Sequence, residues 1–478
     1  MHEPAYRWAL LAADAAEASG GAAESVRLLR RALRLRPADA EVSAVDLLHR
    51  IRHAAQRAGR AADELPAIDE LLTQVDRVAQ PLACAELLVR RVVLRFALGI
   101  EFAGVADAAE AVRLCAGHPD SREYALATAE LATDLLFHGD ESGIAKAEEA
   151  LRLAQAGGWA QPIGYALVAV SVARGMSGDL AAAVTAAREA QVIGVRTHDP
   201  DLALLATYWV GNSVDGPSPR VFIDEVRRCR EDLEQIGGPH SHVSEICSNE
   251  AEALLLAGDW RTCLERLRVA LGARPSTRGD ARARNVAALL ASRQGRHAEA
   301  AAHAARAEEL IADCAQYLAF PFDAVRAELA VAAGDTERAI DLALHGLSLD
   351  PPPLYSEALL PLAARALADL AQACRDRGTD PAQELVRLRE LRERYPEIVT
   401  ERGGKPEYVR RWMHAMQELA DAETARGRRD PDEASRWHRT ADACREAEVL
   451  WDEAYSRWRE AQAALRDRST RQQGTAAL

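Results

Sequence analysis

The chain has 478 residues and a formal net charge of −14, with 49% hydrophobic but only 5% aromatic residues. So much alanine with so few rings argues for closely packed helices and against a sheet or a thick aromatic core. The acidic balance argues against a face that grips a phosphate backbone, so no direct nucleic-acid contact is expected.

The predicted elements are helical hairpins that repeat along the chain. Gly20 is followed by Ser25, Ala32 and Pro37. Gly178 is followed by Ala183 and Ala190, Gly258 by Cys263, Ala270 and Pro275, Gly295 by Ala300 and Ala307, and Gly334 by Ala339, Gly346 and Pro351. Seven residues before each glycine stands another small residue: Ala13, Ser171, Ala251, Ala288 and Ala327. Close helix crossings need small side chains, a glycine turns the chain between helices, and a proline stops the second helix. The unit from Asp323 to Asp350 resembles the tetratricopeptide repeat motif at nearly all its signature positions. Further turns are expected at Gly59, Gly104, Gly139, Gly216, Gly378 and Gly427. The units at Gly59 and Gly139 are degenerate, with Glu64 and Ile144 where a small residue belongs.

The fold class is therefore all-α: a right-handed α-solenoid of about ten or eleven stacked tetratricopeptide-like hairpins with a period near 39. Residues 1–394 form the array. Irregular breaks are expected near 211–219 and 350–354, where glycine and proline forbid a continuous helix. Residues 395–466 continue the array as long charged helices, and 467–478 form a disordered tail.

Candidates for chemistry are few. Gly403, Gly404 and Lys405 superficially suggest a phosphate loop, but Val399 and Pro406 stand where a glycine and a Ser or Thr are required. His240, His242 and Cys247 lack a fourth ligand and fit no closed zinc site, so they read as a turn plus a buried cysteine. No Ser-His-Asp or G-x-S-x-G arrangement occurs, so no enzyme, cofactor or metal is expected. Tyr208, Trp209 and Asn212 precede the first break. They either touch a ligand in the partner groove or fill a helix interface. Eight cysteines, none in a C-x-x-C pair, read as reduced thiols in a cytoplasmic protein. The N-terminal MHEPAYRW has no basic region followed by an apolar stretch, and no stretch approaches about 18 uninterrupted apolar residues, so neither a signal peptide nor a membrane span is expected. Of 59 basic residues only Lys146 and Lys405 are lysine, and asparagine occurs only at 212, 249 and 285, which points to a GC-rich bacterial genome.

Trp451, Tyr455, Trp458, Arg459, Glu460, Ala461 and Leu465 resemble a segment late in the helical-repeat arm of large ATP-dependent LuxR-type transcriptional regulators of high-GC bacteria. The stretch from Tyr6, Arg7 and Trp8 to Pro37 resembles the opening hairpin of such an arm. The resemblance implies a sensory arm for an inducer or partner. The family's Walker A loop and its C-terminal helix-turn-helix have no counterpart here, so ATP binding and DNA binding are not carried over. The expected function is a non-enzymatic regulatory scaffold whose concave groove, lined by the inner helices, holds a protein, peptide or small effector. The alternatives are a transcription regulator acting with its own or separately encoded DNA-binding and ATPase modules, and an independent tetratricopeptide adaptor.

Overall fold

The computed structural model of the chain describes residues 2–100, 104–272, 275–312, 322–349, 356–398 and 404–466. Pro351, the break expected at 350–354, the tail expected at 467–478, Cys314 and Gly403 lie outside the described residues.

Among the described residues the chain is an all-α solenoid. Its hairpins pair α1 (His2–Ala18) with α2 (Ala22–Leu35), α3 (Ala44–Arg57) with α4 (Ala61–Gln74), and α5 (Pro81–Ala97) with α6 (Val105–Cys115). Next come α7 (Arg122–Phe137) with α8 (Ser142–Gly157), α9 (Ala160–Met176) with α10 (Leu180–Thr197), and α11 (Pro200–Ser213) with α12 (Arg220–Gln235). Then follow α13 (His240–Leu256) with α14 (Trp260–Gly272), α15 (Thr277–Arg293) with α16 (His297–Ile311), and α17 (Phe322–Ala332) with α18 (Thr336–Ser348). The chain closes with α19 (Leu359–Asp376), α20 (Ala382–Arg394), α21 (Glu407–Arg428), α22 (Glu433–Glu446) and α23 (Leu450–Arg466).

Local chemistry explains the ends of these helices. Gly20, Gly178, Gly258, Gly295 and Gly334 all have φ between 75° and 84°, a conformation that costs a glycine nothing. The next residue often caps the following helix. Asp179 accepts from the Ala182 N–H and Asp335 from the Arg338 N–H, satisfying donors that a helix start leaves unpaired. Ser43 and Asp46 form a full capping box. Two turns differ from the sequence reading. Gly104 has φ −92° and caps α6, while Gly99, at φ 72°, turns the chain out of α5. Gly427 lies inside the last turn of α21, and Arg429 takes the left-handed position at φ 58°. A Cβ on Gly427 would stand 2.6 Å from Leu388 Cδ2, so this glycine serves helix packing.

The small residues sit where helices cross. Ala183, Ala190, Cys263, Ala270, Ala307 and Ala339 are fully buried and Ala300 nearly so. A Cβ on Gly346 would meet Leu359 Cδ1 at 2.7 Å. Ser171 Oγ donates to the Ala183 carbonyl at 2.8 Å, tying α9 to α10. Packing this close leaves no room for a larger side chain. Ala339→Leu should cost roughly 1–3 kcal/mol through overpacking, read as a lower melting temperature. An unchanged melt would count against the packing scheme.

The odd-numbered helices from α5 to α21 also pack each on the next odd-numbered one, forming the inner layer. The coil is wound tightly enough for distant hairpins to touch. The Gly404 N–H donates to the Gly175 carbonyl at 3.2 Å and the Tyr408 N–H to Gly216 at 2.9 Å. Trp260 of α14 packs against Trp451 of α23, with ring centroids 5.8 Å apart and the planes tilted by 44°. The open concave groove expected from the repeats is therefore narrowed by the chain's own C-terminal helices. No described helix is long and apolar enough to cross a membrane.

Candidate functional site

Tyr208, Trp209 and Asn212 sit on the last turns of α11 and do not converge. Trp209 stacks on Phe137 at 5.7 Å. The Arg278 guanidinium lies 5.8 Å from the Tyr208 ring centroid, and burial pushes the Tyr208 phenol well above its usual range. Asn212 alone is exposed. The break itself spans 214–219, after α11 has ended.

The wound interior holds a polar cluster that sequence reasoning missed. Arg90 of α5 makes a two-pronged pair with Glu64 of α4, at 2.6 and 2.7 Å. Its third nitrogen reaches Asp201 Oδ2 of α11 at 2.7 Å. His242 Nε2 meets Asp201 Oδ1 at 2.7 Å, and Gln56 of α3 donates to Asp201 at 3.3 Å. Desolvation would raise the Asp201 carboxyl, but the Arg90 charge and the His242 bond hold it far below the carboxylate range. Asp199 nearby is raised by burial and by the Asp201 charge. His242 thus pairs with a carboxylate 41 residues upstream, and Cys247 is buried with its thiol pushed up to about 11 by desolvation. Among the described residues no His, Cys, Asp and Glu group has a metal-binding arrangement. The cluster reads as an internal brace, in which Glu64, Arg90, Asp201 and His242 are paired with one another.

A second place differs. A cavity of about 80 Å³ opens on the inner layer between α13, α15 and α17. Leu256, Val286, Leu289 and Val325 line it, and Trp412 of α21 stands across it. Its charged lining groups are paired. Arg282 donates to Glu252 at 2.8 Å, and Arg293 binds Glu328 at 2.8 and 3.1 Å. Asn285 lines the same cavity and is 4% exposed, yet its amide nitrogen has no hydrogen-bond partner. On α13, one turn before Glu252, Asn249 is 5% exposed with its amide oxygen unpartnered. Buried polar groups are normally bonded, so such orphans call for an explanation. The one signal in the sequence was the scarcity of asparagine.

No protein-family model matches the chain, and no curated protein matches it significantly. Solved structures do. The yeast Tom70 crystal structure is 12% identical, covering 98% of this chain and 99% of that one, at a TM-score of 0.37. A Pyrococcus horikoshii signal-transduction ATPase with numerous domains, bearing a tetratricopeptide-repeat sensor, is 14% identical at a TM-score of 0.45. It covers 82% of this chain, which spans 57% of that protein. The human IFIT1 dimer with m7Gppp-AAAA is 12% identical, covering 92% and 93%, at 0.41. At such scores the likeness is to the general helical-repeat fold and carries no ligand or activity across.

Proposed function

We propose that this chain is a non-enzymatic binding scaffold that takes a protein or peptide segment, or a small effector, against its inner helices. The observation that carries the reading is the cavity between α13, α15 and α17, the place where the inner layer presents apolar walls and an unused buried amide together. Concave, mostly apolar sites with a few placed polar groups are the usual form of ligand sites. The Cys115 and Cys263 thiols are pushed up to about 11 and 12 by burial, away from reactivity.

The regulatory part of the reading rests on the resemblance to the LuxR-type sensory arm. Of the residues that carry it, Trp451 packs tilted against Trp260 and Tyr455 packs edge-on to Trp437 at 5.8 Å. They hold the C-terminal helices in place, so the regulatory role has its support in sequence pattern alone. Salt-sensitive binding of promoter DNA by the purified chain would favour a transcription regulator in its own right.

Selection from a random-peptide display library tests the scaffold directly. Full-length protein should enrich peptides whose affinity falls at least tenfold, about 1.4 kcal/mol, when Leu289→Arg fills the cavity with a charge. Circular dichroism would confirm that the variant keeps its helices. No enrichment, or peptides indifferent to Leu289→Arg, would sink the groove reading.

A further inference from the structure

We propose that the cavity between α13, α15, α17 and Trp412 binds an uncharged amide group flanked by one apolar side chain of valine to leucine size. This rests on the scaffold reading above and names the chemistry of its ligand.

Three observations carry it. The first is the orphan amide of Asn285. Two of the chain's three asparagines are buried on successive inner helices, and each has an unpartnered atom of opposite kind. Of the two, Asn285 lines the cavity and offers it a donor. A ligand amide presents a carbonyl acceptor that satisfies this donor without bringing a charge. A fold that only needed to fill the space would do better with leucine, because an unpaired buried polar group is costly.

The second is charge. The four ionised lining groups pair with one another, Arg282 with Glu252 and Arg293 with Glu328. None of these cations is set aside for a carboxylate or phosphate. Asp452, whose surroundings include Arg293 and Glu328, adds negative charge at neutral pH and disfavours an anion further. A charged ligand would enter against this balance, whereas a neutral one leaves it intact.

The third is size. The cavity is about 80 Å³, against roughly 150 Å³ for an apolar cavity that accepts benzene. An isopropyl or isobutyl group fits against Val286, Leu289 and Val325. Trp412 arrives from the far end of the chain, so the ligand's apolar part is enclosed only when the C-terminal helices are docked.

The same chemistry is present in an internal leucine of a peptide and in a free small amide. Calorimetric titration of full-length protein with N-acetyl-leucinamide, with the capped tripeptide Gly-Leu-Gly, and with capped Gly-Glu-Gly separates these. Both leucine probes should bind, and the glutamate probe at least tenfold more weakly. A tripeptide tighter than the single amide assigns a peptide source, and equal affinities assign a small effector. Asn285→Leu should lose at least tenfold in leucine-probe affinity while melting higher than the parent. Trp412→Ala, which leaves the amides alone, should also weaken binding and guards against an Asn285 variant that fails to fold. Binding of neither leucine probe, equal binding of the glutamate probe, or an Asn285→Leu variant that binds normally or melts lower would overturn the proposal. Display-selected peptides that N-acetyl-leucinamide does not displace would leave the scaffold standing and remove this site. Binding of the small amide with no selected peptides would do the reverse.

Discussion

Asp201→Ala should destabilise the protein by about 3 kcal/mol at neutral pH, the usual result of removing one partner from a buried charge network. Asp201 joins Gln56 of α3 and Arg90 of α5 to His242 of α13. Its loss leaves Arg90 with Glu64 only and His242 without its carboxylate. The effect should be localised. Hydrogen exchange should accelerate in α3, α5, α11 and α13 before it does in α17 or α18, because a solenoid opens by neighbouring units. The pH dependence has a definite sign. The folded Asp201 carboxyl lies well below its unfolded value, held down by Arg90 and His242 against desolvation. Its contribution is therefore complete above the unfolded pKa, about 4, and disappears as pH falls below that. The parent should lose its advantage over Asp201→Ala in acid. A gap between the two that persists undiminished well below pH 4 would show that the brace is not electrostatic.

Asp452→Asn should do the opposite and stabilise the protein by about 2 kcal/mol at pH 7, taking about 1.4 kcal/mol per pKa unit and discounting for partial exposure. Desolvation is the largest influence on Asp452, and it lifts the carboxyl to about 6 although Arg293 and Arg365 pull it down. For a raised acid the protonated form suits the fold. The parent's contribution is full below about pH 4 and is lost as pH rises from 4 to 6. The asparagine has no such dependence. The two proteins should melt together near pH 4, and the variant should melt higher at pH 7. A variant less stable at pH 7 would mean that Asp452 contributes mainly as a partner of Arg293. The outcome also bears on function, because Asp452 and Trp451 help seat the helices that bring Trp412 over the cavity.

How far each feature was legible depends on the range of the interactions that make it. Tyr208 and Trp209 were singled out for their type and their place before a break, but their surroundings come from Phe137 and Arg278, far away in the chain. His242 was noticed as one of a local H-x-H pair. Its real neighbours arrive from α3, α5 and α11, so local spacing could not place it. Asn285 was visible only as a rare residue, because whether an amide is satisfied depends on what packs around it. Gly427 was misread as a turn because a glycine needed for close packing against Leu388 looks like one needed for positive φ.

What the sequence determined by itself was the repeating hairpin: glycine turns, aspartate caps and alanine crossings that lie within one unit of about 39 residues. Each rests on steric and hydrogen-bonding demands between residues close in the chain, which a linear pattern can encode. Only the tertiary structure decided how tightly the coil winds, which inner residues meet across it, and that α21 and α23 return to cover the groove. Small differences in crossing geometry at each hairpin accumulate along a solenoid, and their sum brings together side chains more than a hundred residues apart. No local period records that sum.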